Sequence, residues 1–105
     1  MRRLTFEPNP KHRSRKRGRI SAQPVNGQAV LDYCVQIRKE SPRRLGVDRV
    51  NKEIVVFMQH LPGVFHGFVV EWKDLESRAQ KILQELGLVS RRGRILEKID
   101  EVRRD

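Results

Sequence analysis

The run Glu53-Ile54-Val55-Val56-Phe57-Met58-Gln59-His60-Leu61-Pro62-Gly63-Val64-Phe65-His66-Gly67-Phe68-Val69-Val70 decides the fold. Its first seven residues are apolar on both alternating faces, the pattern of a central strand. His60-Leu61-Pro62-Gly63 reads as a hairpin loop, with Pro and Gly placed for a turn. Val64 to Val70 returns as a second strand, in which Gly67 marks a close backbone approach or a bulge. Upstream, Arg43–Asp48 has a period of two: Leu45 and Val47 form an apolar face, and Arg44, Gly46 and Asp48 a polar one. A turn around Val50-Asn51-Lys52 joins the two segments. Three consecutive strands at this spacing predict an antiparallel meander.

The flanks extend this sheet. Asn26-Gly27 after Pro24 starts a helix of at most two turns, with Val30, Leu31 and Cys34 turned inward. Val35-Gln36-Ile37 reads as a short strand, and Ser41-Pro42 interrupts the chain before the meander. Downstream, Trp72 closes the sheet region, and Leu75, Ala79, Ile82, Leu83 and Leu86 form the stripe of an amphipathic helix, with Gly87 at its C-cap. The fold class is therefore α+β: a basic N-terminal arm, a short helix, a three- to four-stranded antiparallel meander and one amphipathic helix packed on it. Residues 1–20 read as the arm, 21–96 as the single domain and 97–105 as a charged tail or helix.

With 105 residues, the chain has room for one modest core. Its 23 Lys and Arg against 13 Asp and Glu give a net charge of +10, and residues 1–19 carry +7 of it against one acid, Glu7. Such a balance suits a polyanionic partner, nucleic acid first. Arg13, Arg15, Lys16, Arg17 and Arg19 on the arm and Arg91, Arg92 and Arg94 around Gly93 are the expected phosphate contacts. Pro8 and Pro10 keep the arm extended. One cysteine, Cys34, permits neither an internal disulfide nor a zinc framework. The stretch given reads as carrying no secretion signal and no membrane span, so no membrane partner is expected.

Phosphate-cradling loops, serine-nucleophile elbows and HExxH helices are absent, which leaves nucleotide hydrolysis, serine hydrolysis and zincin chemistry without support. The inventory of His, Arg and Lys suits metal-independent RNA cleavage, in which the neighbouring 2′-hydroxyl attacks phosphorus. That reaction needs a base, an acid, and cations for the developing charge, but no cofactor. Histidine serves either proton role near neutrality. His66 lies inside an apolar strand, where it is equally suited to catalysis or to a satisfied place on the sheet. His12 sits beside Lys11 in Asn9-Pro10-Lys11-His12, as a catalyst or an ordinary arm residue. His60 reads as a solvent-exposed turn residue. Arg43 and Arg44 either clamp phosphate or pair with Asp48. Trp72 and Phe65 stack on bases or fill the core.

The ordered set Asn9-Pro10-Lys11-His12, Gln23-Pro24-Val25-Asn26-Gly27-Gln28, Leu31-Asp32-Tyr33-Cys34-Val35, Arg43-Arg44-Leu45-Gly46-Val47-Asp48, Phe65-His66-Gly67, Trp72, Leu75 and Gly87-Leu88-Val89 with Gly93 resembles C-terminal toxin domains of bacterial polymorphic toxin systems. The order of elements is similar to the barnase, EndoU, colicin and RelE class of ribonucleases. The resemblance implies RNA as substrate, a site built on Lys11, His12, Arg43, Arg44 and His66, and an acidic immunity protein as partner. It also implies action in the cytoplasm after delivery from another cell within a larger toxin. One departure stands out: where the pattern often carries a further His and an Arg after the Phe-His-Gly histidine, this chain has Phe68 and Val70. The alternative reading is a basic, non-catalytic nucleic-acid-binding protein.

Overall fold

The computed structural model describes residues 3–8 and 23–97. Five strands form one sheet: β1 (Thr5–Phe6), β2 (Val35–Gln36), β3 (Arg43–Asp48), β4 (Glu53–Leu61) and β5 (Val64–Val70), in spatial order β1-β5-β4-β3-β2. Helix α1 (Gly27–Asp32) lies between β1 and β2 in the chain, and helix α2 (Ser77–Glu85) follows a 3-10 turn at Trp72–Asp74. The antiparallel meander from β2 to β5 is as expected. The sheet has one strand more than the sequence indicates, because β1 pairs with β5 in parallel, Thr5 beside Val64 and Phe6 beside Phe65.

The β4–β5 hairpin is tighter than the loop read from the sequence. Strand β4 runs through His60 to Leu61, which pairs with Val64, so only Pro62 and Gly63 turn the chain. Gly63 has φ 76°, the positive value that a glycine following proline supplies in a type II turn. Register is broken between Gln59 and Leu61.

Each face of the sheet has its own cover. One carries Leu45, Ile54 and Val56 beneath α2, whose Ala79 and Leu83 are buried with Val89 and Leu75. Leu86, at the end of the stripe, is instead 47% exposed. The helix ends as expected: Gly87 N–H donates to the Gln84 carbonyl and Leu88 N–H to that of Leu83, the paired bonds of a Schellman motif. Arg78, off the stripe, ties α2 to the sheet by donating from Nε to the Ile37 carbonyl at 2.9 Å.

The second face holds Val55, Phe57 and Phe65 with Val30 and Leu31 of α1. Here the polar face expected on β3 is corrected. Gly46 and Asp48 are buried, and a Cβ on Gly46 would run into Val30, so this side packs against α1. Gly67 meets the close-approach expectation, since a Cβ there would stand 2.7 Å from the Phe57 ring. Phe6 completes the stack, its ring edge-on to Phe57 with centroids 6.2 Å apart.

Helix α1 also fastens β1. Phe6 N–H donates to Gln28 Oε1 at 2.8 Å, and Gln28 Nε2 donates to the Leu4 carbonyl at 3.0 Å, so one amide satisfies the backbone on the free edge of the strand. Arg3 grips both carboxylate oxygens of Asp32, at 3.2 and 2.8 Å. Composition assigns residues 1–20 to an arm, yet Leu4 and Phe6 within that stretch pack on the core.

Two outcomes follow for stability. Phe57→Ala removes a fully buried ring and should cost about 3–5 kcal/mol, whereas Gly67→Ala overpacks the same place and should cost about 1–3 kcal/mol, both read by urea denaturation. Hydrogen bonds from Arg3 and Gln28 hold the Asp32 pKa below its ordinary value. A carboxylate with a lowered folded-state pKa stabilises above its unfolded pKa and loses that contribution as pH falls through the folded one. The stability gap between the parent and Asp32→Asn should therefore be present at neutral pH and close in acid.

Candidate functional site

The sheet register assembles the candidate site on the α2 side. His66 on β5 pairs with Met58 on β4, and Met58 with Arg43 on β3, so the three side chains lie on one face in one row. Glu7 extends the row on the other side: its N–H donates to the Phe65 carbonyl at 2.9 Å, continuing the β1 register beside His66. Glu7 Oε1 stands 3.3 Å from His66 Nε2.

His60, two residues after Met58 on β4, falls on the same face by strand alternation, within the register break between Gln59 and Leu61. Its ring stacks on that of His66, with centroids 4.4 Å apart and planes 17° from parallel, and its Nε2 is 3.9 Å from Glu7 Oε1. His66 is the sheltered member, with 20% of its side chain exposed against 47% for His60 and 53% for Glu7. The result is an imidazole pair around one carboxylate, open to solvent at one corner of the sheet.

Phe68 and Val70 continue the His66 face along β5, opposite Val56 and Ile54. Both pack against the core beneath α2, so these two positions serve folding in this chain.

Arg43 and Arg44, adjacent in sequence, separate onto opposite faces, as strand alternation requires. Arg43 shares the His66 row and is exposed, two strands away at about 10 Å by sheet spacing. Arg44 lies on the α1 side, its guanidinium carbon 5.7 Å from the Phe65 ring centroid and its Nε buried without a partner among the described residues. The pairing with Asp48 considered for these arginines does not form. Asp48 instead accepts from Val50 and Asn51 N–H and from the Asn51 amide, closing the β3–β4 turn.

Arg91, Arg92 and Arg94 occupy a hairpin closed by the Val89–Ile95 bridge, which Gln84 of α2 holds through the Arg91 carbonyl at 3.0 Å. Gly93 there has φ 88°, and a Cβ on it would fall within the Trp72 indole, so Trp72 covers the hairpin backbone at this point. A cavity of about 1060 Å³ adjoins this hairpin, lined by Lys52, Trp72, Lys73 and Arg94 together with Val70. Glu71 and Glu97 line it too and pair with Lys73 and Lys52, so its charge is mixed. Val70 is four residues beyond His66 on β5, about 13 Å along the strand, which sets this region at the far end from the histidines. Lys11, His12, Arg13, Arg15, Lys16, Arg17 and Arg19 lie outside the described residues.

Two residues of this corner, Glu7 and His60, are absent from the candidates drawn from the sequence. Their signals are slight: Glu7 is the lone acid in a basic stretch, and His60 and His66 flank a Pro-Gly turn. Cys34 is half-buried on the α1 side, and burial pushes its thiol pKa up, away from reactivity.

No helix among the described residues is long and apolar enough to cross a membrane. No protein-family profile matches the chain, and no curated protein does. Among solved structures, the chain is similar to one described as "Crystal structure of CDI complex from Cupriavidus taiwanensis LMG 19424", where CDI is contact-dependent growth inhibition. The match has 47% identity and a TM-score of 0.66, and covers 69% of this chain and 97% of the other. Identity and coverage at this level show kinship beyond a shared fold, and the chain belongs to the toxin- and immunity-related family of that CDI-complex component.

Proposed function

We propose that this protein is the toxin partner of a CDI pair and cleaves RNA without a metal ion, with His66 as its central proton-transfer residue. The observation that carries the reading is the row Glu7, His66, Met58 and Arg43, with His60 stacked on His66. The chain's charge of +10 supports a nucleic-acid substrate.

In this reaction a base removes the proton of the RNA 2′-hydroxyl. Its oxygen bonds to phosphorus, the bond from phosphorus to the 5′-oxygen breaks, and an acid protonates that leaving oxygen. The products are a 2′,3′-cyclic phosphate and a free 5′-hydroxyl. His66 supplies one proton transfer and Glu7 orients its ring. Arg43 meets the phosphate from across the row, and Lys11 and His12, four and five residues after Glu7 in the sequence, supply a cation and the second imidazole. Arg44 acts from the opposite face, steadying Phe65 beneath the site. The arm residues Arg13, Arg15, Lys16, Arg17 and Arg19, with Arg91, Arg92 and Arg94, hold the RNA backbone. Delivery from another cell and an acidic immunity protein belong to the same reading, since complementary charge speeds capture of a basic toxin.

Incubation of the protein with RNA in EDTA should yield fragments ending in cyclic phosphate. His66→Ala should lower the rate by about 10²–10⁴, the usual cost of losing a general acid or base, and His12→Ala by a similar factor. Arg43→Ala should slow cleavage at unchanged thermal stability, whereas Arg44→Ala should lower stability. Parent-rate cleavage by both histidine variants overturns the mechanism. Binding without any cleavage favours the non-catalytic nucleic-acid-binding alternative.

Neutralising Arg13, Arg15, Lys16 and Arg17 together should weaken RNA binding and flatten its salt dependence, because each lost phosphate contact lowers the slope of log affinity against log salt by roughly 0.7 on a single strand. Fluorescence anisotropy over a salt series reads this directly.

A further inference from the structure

The corner formed by Glu7, His60 and His66 has a chemistry that RNA cleavage does not use. Each residue offers one ligand atom, and the three atoms lie within 4.8 Å of one another. Two imidazole nitrogens and a carboxylate oxygen form the kind of mixed donor set that zinc takes, with bonds of about 2.0–2.2 Å and ligands about 3.4 Å apart in a tetrahedron. Glu7 Oε1 is already 3.3 Å from His66 Nε2 and 3.9 Å from His60 Nε2.

We infer that Glu7, His60 and His66 bind a divalent transition-metal ion of the zinc type, with water completing its coordination. Imidazole selects such ions over magnesium and calcium, which take all-oxygen sites. The nearly parallel rings cannot both hold one ion in their planes, so binding requires one of them to turn. His60 is the mobile partner: its side chain is about half exposed and stands next to the register break, whereas His66 is sheltered on a paired strand. The ligands are Glu7, directly after β1, His60 on β4 and His66 on β5. An ion held here therefore fastens the parallel edge strand to the hairpin.

A corollary rests on the cleavage reading. The ion takes the His66 Nε2 lone pair, so a bound ion and proton transfer by His66 exclude one another, and zinc inhibits the nuclease. The binding itself is independent of whether RNA is cleaved.

The test is calorimetric titration of the full chain with Zn²⁺, with Mg²⁺ as control. The expected result is saturable binding of one zinc and none of magnesium, accompanied by a rise in Tm. His60→Ala and Glu7→Gln should each weaken zinc binding by at least about 10-fold, the lower end of what even an outer-shell change costs, while Cys34→Ser, on the opposite face of the sheet, binds as the parent does. Circular dichroism on the two exposed-residue variants checks that they fold. Absence of zinc binding in the parent overturns the inference, as does binding that survives both His60→Ala and Glu7→Gln or that disappears in Cys34→Ser. Cleavage assays with and without zinc then address the corollary alone: a parent that binds zinc but cleaves no RNA retains the metal site and removes the nuclease reading.

Discussion

The Phe57 ring lying over the backbone of Gly67 is the contact on which the α1 side of the fold depends. A glycine on β5 opposite a phenylalanine on β4 lets the ring reach over the neighbouring strand, and Phe6 then packs edge-on to it. Gly46 repeats the device on β3, where Val30 of α1 occupies the space that a side chain would need. Without these two openings α1 could not approach the sheet, and β1 would lose the Gln28 and Asp32 contacts that hold it against β5. A domain of this size stands on modest burial, so covering both faces of the sheet matters.

The same economy explains where the candidate site lies. Helix α2 has only nine residues, Ser77–Glu85, and spans part of its face. It covers Leu45, Val56 and Ile54, leaving the Arg43, Met58 and His66 row at the hairpin end partly open. Phe68 and Val70 fall under the covered part, where apolar side chains add to the core. His66 sits at the boundary, sheltered enough to be held and open enough to meet a ligand.

Charge is mixed at the other end of the sheet. Lys52 and Lys73 there stand around Trp72 with Arg94, but each lysine is paired with an acid, Glu97 and Glu71. The histidine corner contains Glu7, the one acid among residues 1–19. A carboxylate there orients an imidazole, and with two imidazoles beside it also makes a set of ligands for a metal ion.

Local chemistry alone determined much of this protein. The apolar run of β4, the alternation of β3, the stripe of α2 and its Gly87 cap are readable because each depends on neighbours within a few residues. His66 is equally visible, as a titratable ring in an apolar strand. Tertiary structure decided the rest. Strand β1 has two residues and no period to detect, and it exists because Phe6 finds Phe57 and Gln28 satisfies its free edge. The separation of Arg43 from Arg44 follows from alternation, but which face each joined depended on where α1 and α2 packed. The meeting of Glu7 with His60 and His66 required the parallel pairing of β1 with β5, which leaves no local mark. Contacts between residues 59 apart in the chain, such as Glu7 with His66, are set by the whole packed sheet and by no shorter stretch of sequence.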